Sequence, residues 1–275
     1  MPGLSIKTRI TGNFSQAADR YDQSAQLQRT IGEQLCAQLD ERQAFDDIDA
    51  ASVWLDLGCG TGHFAEKFQQ TYNAQVLAMD IAFGMLTRTR QRMSNASTVL
   101  VLNADAEFIP LKPDSVNLIF SNFVVQWCLE LRRAIAECWR ILKPGAWCAL
   151  SLPGEGTLKE LQASWSLLDN FDHVNHFYSE EALTQLMRET LPAEATVEIT
   201  RQAYVNRYTS LIDLLKDLKN IGANTATGKT SPGLMGKTQL TSLQKNYEHY
   251  RQADGLLPAS YEVLNVLIKK PKCTE

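Results

Sequence analysis

The stretch VWLDLGCGTGHF at residues 53–64 carries the strongest chemical signal in the chain. An apolar run ends in Asp56, glycines follow at positions 58, 60 and 62, and a helical pattern begins. Glycines at that spacing let a backbone turn sharply and lie against a ligand where a Cβ would clash. Two ligand classes use such a loop. The dinucleotide fingerprint, GxGxxG, needs a glycine at position 63, and this chain has His63. Its spacing is GxGxG, with Cys59 between the first two glycines. Two more acids come in order. Asp80 closes a second apolar run, and Asp105 closes a third, in NADAEFIPL. A pyrophosphate would want the positive end of a helix, whereas carboxylates beside the loop suit a cationic ligand.

This spacing resembles motif I of the class I S-adenosylmethionine-dependent methyltransferases, whose cofactor carries a sulfonium and an amino acid end but no phosphate. The resemblance implies a loop of Asp56, Gly58, Cys59, Gly60 and Gly62 around the cofactor. Asp80 would accept both ribose hydroxyls, with Ile81 and Met85 beside it. Asp105 would accept the adenine amino group next to Ala106, and Arg29, Ser121 and Asn122 would complete the contacts.

These residues need a scaffold. Between about 50 and 152, the short apolar runs AASVWLDL, AQVLAMD, STVLVLNAD, VNLIFSN and GAWCALSL are interleaved with helical stretches such as GHFAEKFQQ and LRRAIAECWRIL. Such alternation predicts βαβ units, an α/β fold whose central, mostly parallel sheet has helices on both faces. LKPG at 142–145 reads as a helix stop. Before this block, Phe14, Ala18, Tyr21, Ala25, Ile31, Leu35 and Leu39 fall near helical spacing, which predicts one or two amphipathic helices. After it come helices over TLKELQASWSLLDN and over SEEALTQLMRE with Ser179 as N-cap. A strand is expected at 195–208, helices at 209–221 and 238–250 around a Gly/Thr/Ser/Pro loop, and a closing strand in SYEVLNVLIKK. The expected organisation is a single Rossmann-like methyltransferase domain. Its parts are an N-terminal helical segment (1–50), a cofactor core (51–152), a helical insertion with a strand (153–260) and a final strand (261–270).

Composition removes several function classes. No apolar run approaches the ~18–20 residues of a membrane span, and MPGLSIKTRITGNFSQ lacks a signal-peptide core. The six cysteines form no CxxC pair, as expected of reduced thiols in the cytoplasm. A net charge of −4 argues against a nucleic-acid partner. The charge is uneven, however. Residues 201–275 carry 11 Lys/Arg against 6 Asp/Glu, which suits an acidic partner.

The octet SNFVVQWC (121–128) places amides and an indole where a buried strand runs out. In a doubly wound sheet, that end faces the ligand crevice. With RYDQSAQLQR (20–29), HVNHF (173–177), LKNIGAN (218–224) and LPASYEVLNVLIKK (257–270), it resembles the malonyl-acyl-carrier-protein O-methyltransferases of biotin synthesis over nearly the whole chain. The resemblance implies methylation of the free malonyl carboxylate by a monomer. A carboxylate is ionised at neutral pH and needs no general base. Tyr21, Gln126, Trp127, His173 and Asn175 are the expected acceptor-positioning groups, converging above the strand ends. Lys216 and Lys219 are the expected carrier-protein contacts. His176 stands where family members often have arginine. His173 and His176 form HxxH without an acidic third ligand, so no metal is expected. The competing readings are a methyltransferase for another small carboxylic acid or a quinone, which would need no carrier protein, and a binding module without chemistry.

Overall fold

A computed structural model describes residues 2–46, 51–72, 74–94, 98–223 and 236–272. Three helices come first: α1 (Pro2–Ala17), the single turn α2 (Tyr21–Ser24) and α3 (Gln26–Glu41). The core then alternates β1 (Val53–Leu57), α4 (His63–Tyr72), β2 (Gln75–Asp80), α5 (Phe83–Arg92), β3 (Val99–Asn103), β4 (Val116–Asn122), α6 (Leu131–Ile141) and β5 (Leu142–Pro153). The remainder holds α7 (Lys159–Ser166), α8 (Glu180–Thr190), β6 (Thr196–Tyr208), α9 (Leu211–Asn220), α10 (Lys237–Tyr247) and β7 (Leu257–Lys269).

The seven strands form one sheet in the order β3-β2-β1-β4-β5-β7-β6, with β1 to β5 parallel and β7 antiparallel to both of its neighbours. The chain steps outward from β1 to β3 and then returns to the other side of β1 as β4. The β1/β4 boundary is therefore the switch point where such sheets bind ligands. Gly58 follows β1 with φ +74°, and a Cβ there would lie 2.2 Å from a methyl of Val124, which follows β4. The two loops therefore touch, and only glycine fits between them.

Each sheet face has its own core. Leu35, Leu39, Phe64, Phe68 and Leu86 cover one face from α3, α4 and α5, while Ile135, Cys138, Leu183 and Met187 cover the other from α6 and α8. A third cluster joins Leu27 and Ile31 of α3 to Leu161, Trp165, Leu211, Leu214, Leu243, Tyr247 and Tyr261. This cluster seats the insertion helices as a cap over the strand ends. Its seat on the sheet is the 13-residue β7, paired along its length with β6, so the closing strand starts earlier than SYEVLNVLIKK suggests.

The N-terminal segment departs from expectation most. It forms three helices rather than one or two, and α1 starts at Pro2. That stretch lacks a strong apolar stripe, and α1 is held through α5 and the cofactor cleft instead. Of the LKNIGAN segment, Asn224 lies outside the described residues, as does most of the adjoining loop.

Candidate active site

Two clefts meet at Gly58. The first, about 470 Å³, is lined by Gly58, Asp80, Ile81, Asp105, Ala106 and Trp127, with Lys7, Ile10 and Thr11 of α1 closing it. The second, about 420 Å³, is lined by Tyr21, Gln28, Arg29, Asp56, Gly58, Cys59, Gly60 and Asn122 among others. Together they follow the loop across the carboxyl ends of β1, β2 and β3.

The electrostatics suit a cation. Asp80 accepts N–H bonds from Gly60 (2.9 Å) and Ala82 (2.7 Å), which fixes its carboxyl at the cleft wall. Burial nevertheless lifts its pKa to about 6, the backbone N–H groups of Ala82, Gly60 and Ile81 opposing the shift. Asp56 is pushed up to about 7 by burial, and its Oδ2 has no hydrogen-bond partner among the described residues. Two desolvated carboxyls, one with an orphaned oxygen, beside a cradle of glycines form a donor set that fits a sulfonium nucleoside with an amino acid end. Burial raises the Tyr21 phenol well above its ordinary range, with Asp80 and Asp22 adding to the effect. The phenol is held protonated, as a donor.

The helices in front of the core act as a strap. Asp22 accepts from Thr61 of the glycine loop (2.7 Å) and pairs with Arg92 (2.5 Å) and Arg29 (3.4 Å). Asn220 of the cap donates to Ser24 (3.2 Å). Phe14 of α1 packs edge-on against Trp127, with centroids 5.4 Å apart, and lies against Gly222. Lys7 pairs with both Asp105 and Glu107.

Beyond Trp127 opens a cavity of about 940 Å³, lined by Gln28, Gln126, Trp127, His173, Asn175 and a wall of apolar and aromatic side chains. Among the described residues none that lines it is Asp, Glu, Lys or Arg. The octet shapes its floor. Phe123 takes φ +59°, unusual for a side chain of that size, and its carbonyl accepts from Gln126 Nε2 at 2.8 Å. That turn carries the chain from β4 into a 3-10 turn over Val125–Trp127 and swings Gln126 and Trp127 across the strand ends. His173 is held by Asp169 (2.9 Å) and stacks on Trp165, with ring centroids 3.6 Å apart. The cavity shares Trp127 with the first cleft and Gln28 with the second.

A model of the methyltransferase domain matches residues 55–150. The malonyl-[acyl-carrier protein] O-methyltransferase of Methylococcus capsulatus is 37% identical, over 94% of this chain and 92% of that protein. That of Yersinia pestis is 34% identical, over 96% and 92%. The chain belongs to the malonyl-[acyl-carrier protein] O-methyltransferase family. It also matches the biotin biosynthesis bifunctional protein BioHC of Cellvibrio japonicus at 38% identity, over 96% of this chain but 50% of that protein, so it spans about half of that longer relative. Among solved structures, the YcgJ protein of Bacillus subtilis covers 84% of this chain and all of its own (TM-score 0.57, 15% identity). Phosphoethanolamine N-methyltransferase 2 of Haemonchus contortus, solved with S-adenosyl-L-methionine, covers 87% of this chain and 53% of its own (TM-score 0.54, 18% identity). At those identities the likeness speaks for the fold, a class I Rossmann-like methyltransferase.

Of the cofactor residues expected in a member of this family, Arg29, Asp56, Gly58, Cys59, Gly60, Asp80, Ile81, Asp105, Ala106 and Asn122 line the two clefts. Gly62 supports them at φ +84°, where a Cβ would meet Thr89 at 2.9 Å. Two of the expected residues lie off both clefts. Ser121 is 0% exposed and lines neither cleft, because alternation along β4 turns Asn122, not Ser121, toward the ligand side. Met85 packs with Ala18 and Ala82 under α1 and also lines neither cleft. Tyr21 sits with the cofactor residues rather than in the acceptor cavity, facing Gly60. Gln126, Trp127, His173 and Asn175 do line one cavity. His176 does not, being 73% exposed at its side chain and paired with Asp172 (3.1 Å). Lys216 and Lys219 are exposed on α9, the helix whose Leu215 and Leu218 line the cavity.

Sequence reasoning missed Lys7 and Gln28. For Gln28 a signal existed: it sits on the buried stripe of α3 with Ile31, Gly32 and Leu35, a polar residue at an apolar position.

Proposed function

We propose that this protein transfers a methyl group from S-adenosylmethionine to the free carboxylate of a malonyl group on acyl carrier protein, giving the methyl ester that primes pimeloyl synthesis for biotin. The observation that carries this reading is the uncharged, amide-lined cavity joined to the cofactor clefts by Trp127 and Gln28. S-adenosylmethionine, when bound, supplies a methyl carbon activated by its sulfonium.

This chain's residues do the rest. Asp56 and Asp80 hold the cationic cofactor, and Tyr21 and Trp127 close over it. No side chain has to remove a proton, because the acceptor is already an anion. Gln126, Asn175 and His173 orient it in line without the tight ion pair that would blunt its nucleophilicity. An anion and a cation give neutral products, so excluding water from an apolar pocket favours transfer. Lys216 and Lys219, exposed at the rim on α9, face an acidic carrier, and the cavity behind them takes the acyl arm. Both clefts are complete within one chain, which supports a monomer as the working unit. No described helix is long and apolar enough to cross a membrane, in keeping with action in the cytoplasm.

The test is transfer of labelled methyl to malonyl-carrier protein, with acetyl-carrier protein and free malonate as controls. Base-labile label on the malonyl form alone is expected. Equal labelling of the acetyl form would remove the carboxylate assignment, and preference for free malonate would remove the carrier.

A further inference from the structure

Among the described residues, Gln28 alone lines both the glycine-loop cleft and the acceptor cavity. Its side chain is 7% exposed, and its Oε1 is buried with no hydrogen-bond partner among the described residues. A buried amide oxygen left unpaired costs the fold free energy, so its retention asks for a ligand at that amide. The backbone around it is fixed from three sides. Its carbonyl accepts from Asn122 Nδ2 at 2.8 Å, and Asn122 is itself held by the Ser151 hydroxyl at 2.6 Å. One turn on, Gly32 lets α3 sit directly on Phe64, where a Cβ would come within 2.1 Å of the ring. The helix cannot slide without breaking these contacts, so the amide is presented at a set point on the wall between the clefts.

We infer that Gln28 joins Gln126, Asn175 and His173 as the carboxylate-orienting contact nearest the methyl donor, and so selects a terminal carboxylate over a terminal methyl at that point. This rests on the proposed malonyl reading. The chemistry favours Gln28 over Gln126 for the contact nearest the cofactor. Gln126 commits its NH2 to the Phe123 carbonyl, and it lines the acceptor cavity but neither cofactor cleft. A half-turn about the last torsion of Gln28 exchanges its oxygen for two N–H donors, which an anionic acceptor needs. A neutral amide holds a carboxylate by direction rather than by charge, leaving a second oxygen free to attack.

The experiment uses the full chain with malonyl-carrier protein, and the variants Gln28→Leu and Gln28→Glu. Wild type and variants are compared for methyl transfer, for S-adenosylhomocysteine affinity by calorimetry, and for thermal unfolding. For Gln28→Leu, kcat/KM is expected to fall about 30-fold while homocysteine-product affinity stays within about threefold. For Gln28→Glu, activity relative to wild type should be lowest at high pH and recover as the pH falls. The introduced carboxyl repels the acceptor when ionised and donates to it when protonated. A purely structural role would give no such recovery. Gln28→Leu turnover within about threefold of wild type would overturn the inference. So would a matching loss of S-adenosylhomocysteine affinity, or a Gln28→Glu ratio that does not change with pH; should the leucine variant fail to fold, this ratio decides alone. Wild type that methylates other acceptors but not the malonyl carrier would instead sink the substrate reading, and this inference with it.

Discussion

The cofactor clefts and the acceptor cavity lie side by side yet are built on opposite principles. The clefts carry charge: Asp56, Asp80 and Asp105 line them, with Lys7 and Arg29 opposite. Among the described residues the cavity is lined by no Asp, Glu, Lys or Arg, and its polar groups are amides, an imidazole, an indole, the Thr157 hydroxyl and the Tyr261 phenol. The clefts are also local, drawn chiefly from the ends of three consecutive strands, whereas the cavity gathers residues from 28 to 261. A cation that must be gripped and an anion that must stay reactive call for different walls. If this division is right, substitutions on one side should leave the other side's binding intact.

The largest effect is expected where the two cofactor clefts meet. Gly58→Ala forces a side chain into a left-handed backbone position and against Val124. It should cut S-adenosylhomocysteine affinity by about 100-fold and lower the melting temperature, measured by calorimetry and thermal unfolding. Next comes Asp80→Asn, which removes the negative charge and turns one of the two oxygens that accept from the Gly60 and Ala82 amides into an NH2 donor. Cofactor affinity should drop about 30-fold with KM for the malonyl carrier unchanged. Gln126→Leu should do the reverse, lowering kcat about tenfold with cofactor affinity unchanged. Equal loss on both sides in either variant would break the comparison.

Acid titration sharpens it further. The carboxyls of Asp56 and Asp80 are raised to about 7 and about 6 by burial, so each favours the fold when protonated. The cofactor-free protein should therefore gain stability from these two groups as pH falls through 7 and 6 toward the ordinary carboxylate range. A bound cation favours their ionised forms. Cofactor affinity should thus weaken about tenfold from pH 8 to pH 5.5, and binding near pH 6.5 should release protons, read by calorimetry in buffers of different ionisation enthalpy. Binding of the neutral cavity's ligand carries no such dependence on these two groups. The smallest effect belongs to the rim. Reversing Lys216 and Lys219 to glutamate should raise KM for the carrier-bound substrate about fivefold at low salt and spare a small thioester.

The contrast between the regions also explains what the sequence reveals. GxGxG, Asp80 and Asp105 lie on strand ends whose order follows from alternation, so the sequence places them along one edge of the sheet. Ser121 lies off both clefts because one position of strand parity decides which side chain faces them. Met85 lies off them because α1 covers it, and α1 has no clear apolar stripe to announce it. On the acceptor side the octet marked the place, but the positive φ of Phe123 that aims Gln126 leaves no mark in residue type. Gln28 was visible only as a polar residue on a buried stripe. His176 drew notice through its residue type, yet packing leaves it outside the cavity.

The division of labour is tested most directly by a crystal structure of the enzyme with S-adenosylhomocysteine and a non-hydrolysable malonyl thioester. The account predicts the homocysteine end along Gly58 and Gly60, and the malonyl carboxylate among the amides of the cavity with no lysine or arginine in contact. A carboxylate found ion-paired to Lys7 or Arg29, or lodged beside Asp56, would contradict it.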